Sequence, residues 1–130
     1  MAGAYIDSSW LIAARLQRQD KKQLARLERY STLYSSQLLL AEVFAFSRRE
    51  GIEPSKVLEA SQAVTWIMPD RSLSPEIEWV ISKGYVRGAD LWHLACAYYI
   101  SPDPEDLAFL TLDARQREIA HSLGFPTPVF

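Results

Sequence analysis

"AYIDSSWLIAA", residues 4–14, decides how the chain is read. Residues 3–7 have the length and apolar character of a short buried strand, and "SSWLIAARLQRQ" behind them reads as a helix. Asp7 falls on the junction. An acid there is either the cap of the helix or a member of a site, because ligands of open α/β sheets bind at the carboxyl ends of the strands. Ser8 and Ser9 would cap the helix without placing a charge at that edge.

Outward from this unit the same alternation continues. A polar helix is expected over 20–30 and a weak strand in "STLYS". "SQLLLAEVFAFSRRE" is a helix, with Ser35 or Ser36 as cap and Gly51 as stop. "EPSKVLEASQAV" starts a further helix at Pro54–Ser55, and "TWIM" reads as a strand ended by Pro69–Asp70. "SPEIEWVISKG" and "GADLWHLACAYYI" are consecutive helices. The loop "SPDPEDL" leads into strand "AFLTL", helix "ARQREIAHSLG" and a last strand, "PVF". Strands alternating with helices imply a parallel sheet covered on both faces. No repeat or linker interrupts the pattern, so residues 1–130 are expected to form one domain.

Composition narrows the function. With 48% hydrophobic residues and five glycines among 130, the chain is that of a folded domain. A net charge of −2 excludes a general polycation, so any nucleic-acid contact must come from a local patch. The single cysteine, Cys96, permits neither an internal disulfide nor a Cys-based zinc cluster. No secretory signal and no bilayer-length apolar run stand out, and a cytoplasmic, soluble protein with no membrane partner is expected.

Asp7 has three potential companions. Asp113 in "FLTLDARQ" follows a strand, Asp90 stands near a helix start, and Glu42 lies within a helix. Asp113, with Gln116 three residues on, resembles a capping box, and Asp90 could cap its own helix or pair with Arg87 or His93. Glu42 differs: its helix is apolar almost all round, and no cation lies three or four positions away. A buried carboxylate there needs a partner from elsewhere, either Arg/Lys or a metal. An oxygen-only cluster selects a hard cation such as Mg²⁺ or Mn²⁺.

Other chemistries are poorly served. His93 and His121 form no zinc-binding pair, and His93 on the apolar "LWHLACAYY" helix reads as a packed or hydrogen-bonded core residue. No nucleophilic triad or Gly-rich phosphate loop is present. Trp10, Trp66, Trp79 and Trp92 sit in apolar runs and are expected in the core. The basic stretch Arg15, Arg18, Lys21, Lys22, Arg26 and Arg29 is either a solvated face or a place for a phosphate backbone near Asp7.

Taken in order, "YIDSSWLIA", "LLLAEVF", "GADLWHLACA" and "FLTLDARQREIAHSLGF" resemble a PIN domain of the VapC toxin ribonuclease type. The family's Asp at the first strand end followed by Ser/Thr, helical Glu, helix-start Asp and Thr/Ser-x-Asp match Asp7 with Ser8, Glu42, Asp90, and Thr111 with Asp113. The resemblance implies a three-layer α/β/α sandwich with a mostly parallel five-stranded sheet. It also implies Mg²⁺- or Mn²⁺-dependent endoribonuclease activity, a homodimer, and inhibition by a small antitoxin. The metal-binding role then falls to Asp7, Glu42, Asp90 and Asp113, with Thr111 and Ser8 orienting ligands. The alternative is a catalytically silent interaction module on the same fold. A haloacid-dehalogenase phosphatase would want a second Asp in "DSSW", and a receiver domain an acidic pair ahead of its aspartate.

Overall fold

The computed structural model describes residues 3–17 and 28–128. In chain order these form β1 (Gly3–Ile6), α1 (Ser8–Leu11) continued by a wider π-helical segment (Ile12–Gln17), β2 (Leu33–Ser36), α2 (Gln37–Glu50), α3 (Pro54–Ala60), β3 (Val64–Ile67), α4 (Ser74–Ile81), α5 (Gly88–Ile100), β4 (Leu107–Leu110) and α6 (Ala114–Leu123). A short 3-10 turn, Pro104–Asp106, precedes β4. No helix among the described residues is long and apolar enough to cross a membrane.

The strands make one parallel sheet in the order β3-β2-β1-β4. Their two-residue periodicity splits the core in two, since successive side chains point to opposite faces. Ala4, Ile6, Ala108 and Leu110 face α1–α3 and pack with Trp10, Leu39, Val43 and Val57. Tyr5, Leu107 and Phe109 face α4–α6 and pack with Val80, Leu94, Ile119 and Phe125. The expected three layers are therefore present, built on a sheet buried from both sides.

Local chemistry sets the element ends. The Ser36 hydroxyl accepts the Leu38 N–H at the start of α2 (3.3 Å), and Gly51 ends that helix at φ 73°, a left-handed conformation that glycine enters without Cβ strain. Gly3 serves close packing: a Cβ there would come within 2.8 Å of the Tyr34 ring.

Two expectations change and a third is left untested. The described residues contain four strands rather than five. The expected fifth falls on 128–130, of which 129 and 130 lie outside the described residues. The chain does reach the outer side of β4, where the Phe109 N–H donates to the Pro126 carbonyl at 2.9 Å. Most of the expected helix over 20–30 also lies outside the described residues. Trp10 is fully buried, and Trp66 and Trp92 pack half-buried against the core. Trp79, however, is 44% exposed with the Lys83 ammonium over its ring. A lysine stem covers the indole there in place of a core neighbour.

Candidate active site

The strand order creates the site. From β1 the chain moves outward to β2 and β3, then returns so that β4 lies on the other flank of β1. Such a reversal opens a crevice at the carboxyl ends of the two central strands. Asp7 directly follows β1, and Thr111 and Asp113 directly follow β4. The β1–β4 pairing runs into this crevice, with the Asp7 N–H donating to the Leu110 carbonyl (3.2 Å).

Asp7 caps its helix and also reaches across to the end of β4. Its Oδ1 accepts the Trp10 N–H at 3.1 Å, which caps α1, and the Ser9 hydroxyl at 2.7 Å. Its Oδ2 accepts the Thr111 hydroxyl at 2.6 Å, across the β1–β4 crevice. The side chain is buried, and that burial raises its pKa, against the lowering pull of the three hydrogen bonds and of His93. A cap alone does not bury a charge beside a second strand end.

Thr111 is the hub. Its hydroxyl lies 2.8 Å from Gln116 Oε1 as well as 2.6 Å from Asp7 Oδ2, and it accepts the Asp113 N–H at 3.0 Å. One hydroxyl hydrogen thus serves two acceptors. Asp113 caps α6 through its Oδ1, which accepts the Gln116 N–H at 2.9 Å. The capping-box resemblance stops there, because the Gln116 amide turns inward and its Nε2 donates to the Asp90 carbonyl at 3.3 Å. Gln116 therefore ties α6 to α5. Nothing in the local sequence marks it except its place three residues after an N-cap.

Glu42 has a different partner from those the sequence suggested. Its side chain is 27% exposed, and its Oε1 lies 2.6 Å from Nε2 of the buried His93 on α5. His93 Nδ1 lies 2.6 Å from the hydroxyl of Tyr5 on β1. Asp90, half-buried in the first turn of α5, feels the rest of the cluster. Burial raises its pKa first, and the Asp113 and Glu42 carboxylates raise it further, while His93 and Arg87 oppose the shift.

Of the two serines after Asp7, it is Ser9 that braces the site: it donates to Asp7 and accepts the Leu112 N–H (3.0 Å). Ser8 begins α1 and is half-buried. Arg15 lies elsewhere. It lines a groove with Glu28, Tyr30, Thr32 and Ala63, which precede β2 and β3 at the sheet edge opposite the carboxylates. Arg18, Lys21, Lys22 and Arg26 lie outside the described residues. The cations that do flank the acids are Arg87, ahead of α5, and Arg115 and Arg117 in α6. The Arg115 Nε–H donates to the Tyr85 carbonyl and an Arg117 Nη2–H to the Thr111 carbonyl, both at 3.0 Å. Sequence reading named Arg87 only as a possible partner of Asp90 and passed over Arg115 and Arg117, because each stands singly rather than in a run.

The donor set is made of carboxylate oxygens, the chemistry of a hard divalent cation. The charge also fits, since the Asp113 and Glu42 carboxylates add to burial in raising Asp90. The spacing is open: among the described residues no three His, Cys, Asp or Glu side chains stand close enough to form a ready cage. Asp7 is the fixed member, whereas Asp113 is exposed and Glu42 and Asp90 are partly so, leaving them room to turn inward.

The family model described as PIN domain matches residues 4–122, which takes in every residue of this crevice. No curated protein matches the chain. PIN domains are generally nucleases, and the α/β architecture with its parallel sheet is consistent with that family.

Proposed function

The chain belongs to the PIN domain family, and we propose that it is a divalent-metal-dependent endoribonuclease of the VapC toxin type. In this reading it hydrolyses RNA phosphodiester bonds, uses Mg²⁺ or Mn²⁺, acts as a homodimer and is restrained by a small antitoxin. What supports the reading is that Asp90 is raised by its burial and by the Asp113 and Glu42 carboxylates, while Asp7 meets Thr111 across the β1–β4 crevice.

Asp7, Glu42, Asp90 and Asp113 would hold the cation. When bound, it supplies charge neutralisation at the phosphate and lowers the pKa of a coordinated water. The chain's own residues do the rest. Thr111, Ser9 and the Trp10 N–H hold Asp7 in one orientation, as expected of a site preorganised for charge that develops during reaction. Gln116 couples the Asp113 helix to the Asp90 helix, so that the two acids keep their relative positions. Arg87, whose charge Asp90 feels, offers positive charge to the RNA phosphates.

The test is cleavage of single-stranded RNA by the wild type and by Asp7→Asn, Glu42→Gln, Asp90→Asn and Asp113→Asn, with Mn²⁺ and with chelator. Cleavage should require the cation and fall by orders of magnitude in each variant. Full activity in any two variants would defeat the four-carboxylate assignment. A wild type that binds RNA but never cuts it would be a catalytically silent interaction module.

A further inference from the structure

The connector between α4 and α5, residues 82–87, carries the most exposed of the large apolar side chains among the described residues, Tyr85 at 72%. Its place in the fold follows from the topology. β4 runs parallel to the other strands and α5 feeds its amino end, so α5 must begin at the carboxyl end of the sheet, where Asp7, Thr111 and Asp113 stand. The Gln116 amide bears this out, since from α6 it reaches the Asp90 carbonyl in the first turn of α5. The connector therefore lies at the rim of the β1–β4 crevice, beside the starts of α5 and α6.

A lone exposed aromatic needs no explanation. What sets Tyr85 apart is that its backbone is held while its ring is not. The Arg115 Nε–H donates to the Tyr85 carbonyl at 3.0 Å, and Nη1 of the same guanidinium pairs with Glu118 Oε1 at 3.2 Å, so Arg115 is committed to holding the connector. One residue earlier, a Cβ on Gly84 would fall 2.7 Å from Arg115 Nη2 and 2.8 Å from Ile119 Cδ1. Bare backbone there lets the connector lie directly on α6. The Tyr85 ring and hydroxyl, by contrast, make no hydrogen bond or ring contact among the described residues. A large aromatic face thus stands in solvent on a fixed base, with only two torsions to order on binding. Charge accompanies it. Lys83 and Arg87 stand two residues to either side, both exposed, and Arg87 is near enough to Asp90 for its charge to bear on that carboxyl. Proteins that take single-stranded nucleic acid combine cations that follow the backbone with aromatic faces on which unpaired bases stack. Trp79, the other exposed large aromatic among the described residues, is less suited, because the Lys83 ammonium already lies 4.2 Å from its ring centroid.

Resting on the ribonuclease reading above, we propose that Tyr85 is a stacking platform for one unpaired nucleobase of the RNA, at a nucleotide flanking the phosphodiester that enters the β1–β4 crevice. Such a platform selects single-stranded RNA at that nucleotide, because a duplex keeps its base faces inside the stack. The ring carries no charge, so it adds affinity without adding to the salt dependence that the cations impose.

The test is fluorescence anisotropy of a labelled, unstructured RNA oligonucleotide in Ca²⁺, with the RNA checked by gel to be intact, so that binding is read apart from cleavage. Tyr85→Ala should bind about 5–150-fold more weakly than the wild type, the loss of one stacked base, with an unchanged log–log salt slope. Tyr85→Phe and Tyr85→Trp keep the aromatic face and should bind as the wild type does. A single abasic residue walked along the RNA should find one position where wild-type binding falls by a similar factor while Tyr85→Ala binding does not change. Wild-type affinity in Tyr85→Ala overturns the platform. So does Tyr85→Phe as weak as Tyr85→Ala, which would make the hydroxyl the contact, and so does an abasic penalty of equal size in both proteins. If the abasic result holds but Mn²⁺ elicits no cleavage, the platform stands and the nuclease reading falls. If the wild type binds no RNA, both fall.

Discussion

Replacing Thr111 by valine removes one oxygen from the centre of the site and changes its shape very little. The side chain is 1% exposed, so water cannot replace what is lost. Three groups lose a partner: Asp7 Oδ2 at 2.6 Å, Gln116 Oε1 at 2.8 Å and the Asp113 N–H at 3.0 Å. A buried group left unsatisfied costs about 1–3 kcal/mol, more when it is charged. The three costs overlap, because a single hydroxyl hydrogen served two of the acceptors. A net loss of about 2–4 kcal/mol follows, a large share of the ~5–15 kcal/mol by which domains are stable. Urea denaturation of the metal-free protein should show a lower midpoint with an unchanged slope, and thermal unfolding a fall on the order of 10 °C. Thr111→Ser is the control: it keeps the hydroxyl and loses a methyl, for about 1 kcal/mol. If valine costs less than serine, the hydroxyl is not the hub described above.

The remaining predictions concern charge. Burial raises the Asp7 carboxyl, so the folded state holds that proton more tightly than the unfolded chain does. The contribution of Asp7 to stability is thus full at low pH, and declines as pH rises from the unfolded value of about 4 through the raised folded value. Asp7→Asn, which keeps the cap, should therefore be the more stable protein at pH 7 without metal, and the difference should shrink by about pH 4 in parallel urea titrations. In the wild type, Mn²⁺ at tenfold excess over its dissociation constant should add about 1.4 kcal/mol, and Asp7→Asn should lose that response. Equal metal shifts in both proteins would return Asp7 to the role of a cap. For RNA, Arg87→Ala should flatten the log–log salt dependence of binding by about 0.7, one phosphate contact on a single strand, whereas Arg15→Ala should leave it unchanged. The reverse result would put the RNA at the opposite sheet edge.

Sequence reading reached what local chemistry controls. The apolar "GADLWHLACAYYI" became helix Gly88–Ile100, and the Ser36 and Gly51 signals fell where α2 starts and stops. Such ends are set by one or two residues and are visible in a short window. The same window led Trp79 astray, since an apolar run cannot show that a neighbouring lysine covers the ring. The four acids were legible as positions but not as an arrangement. Which atom meets Glu42 depends on how α2 and α5 pack across the sheet, and His93 lies 51 residues from it. Gln116 read as half of a capping box because its other contact, to Asp90, is made by tertiary packing. Arg15 read as near Asp7 because it is near in sequence. A helix leaving the strand's carboxyl end runs back along the sheet, and it carries Arg15 to the far edge.

The bond from Thr111 to Asp7 spans 104 residues, and this has a consequence for when the protein becomes active. β1 is made before β2, β3 and every helix, and its second neighbour, β4, only after them all but α6. A nascent chain ending before β4 has Asp7 at the end of a strand paired on one side only, with no Thr111 to hold it and no helix α6 beside it. Long-range parallel pairing of this sort forms slowly, after the local helices are in place. A chain cut short before β4 therefore lacks the crevice, however completely its earlier helices have formed.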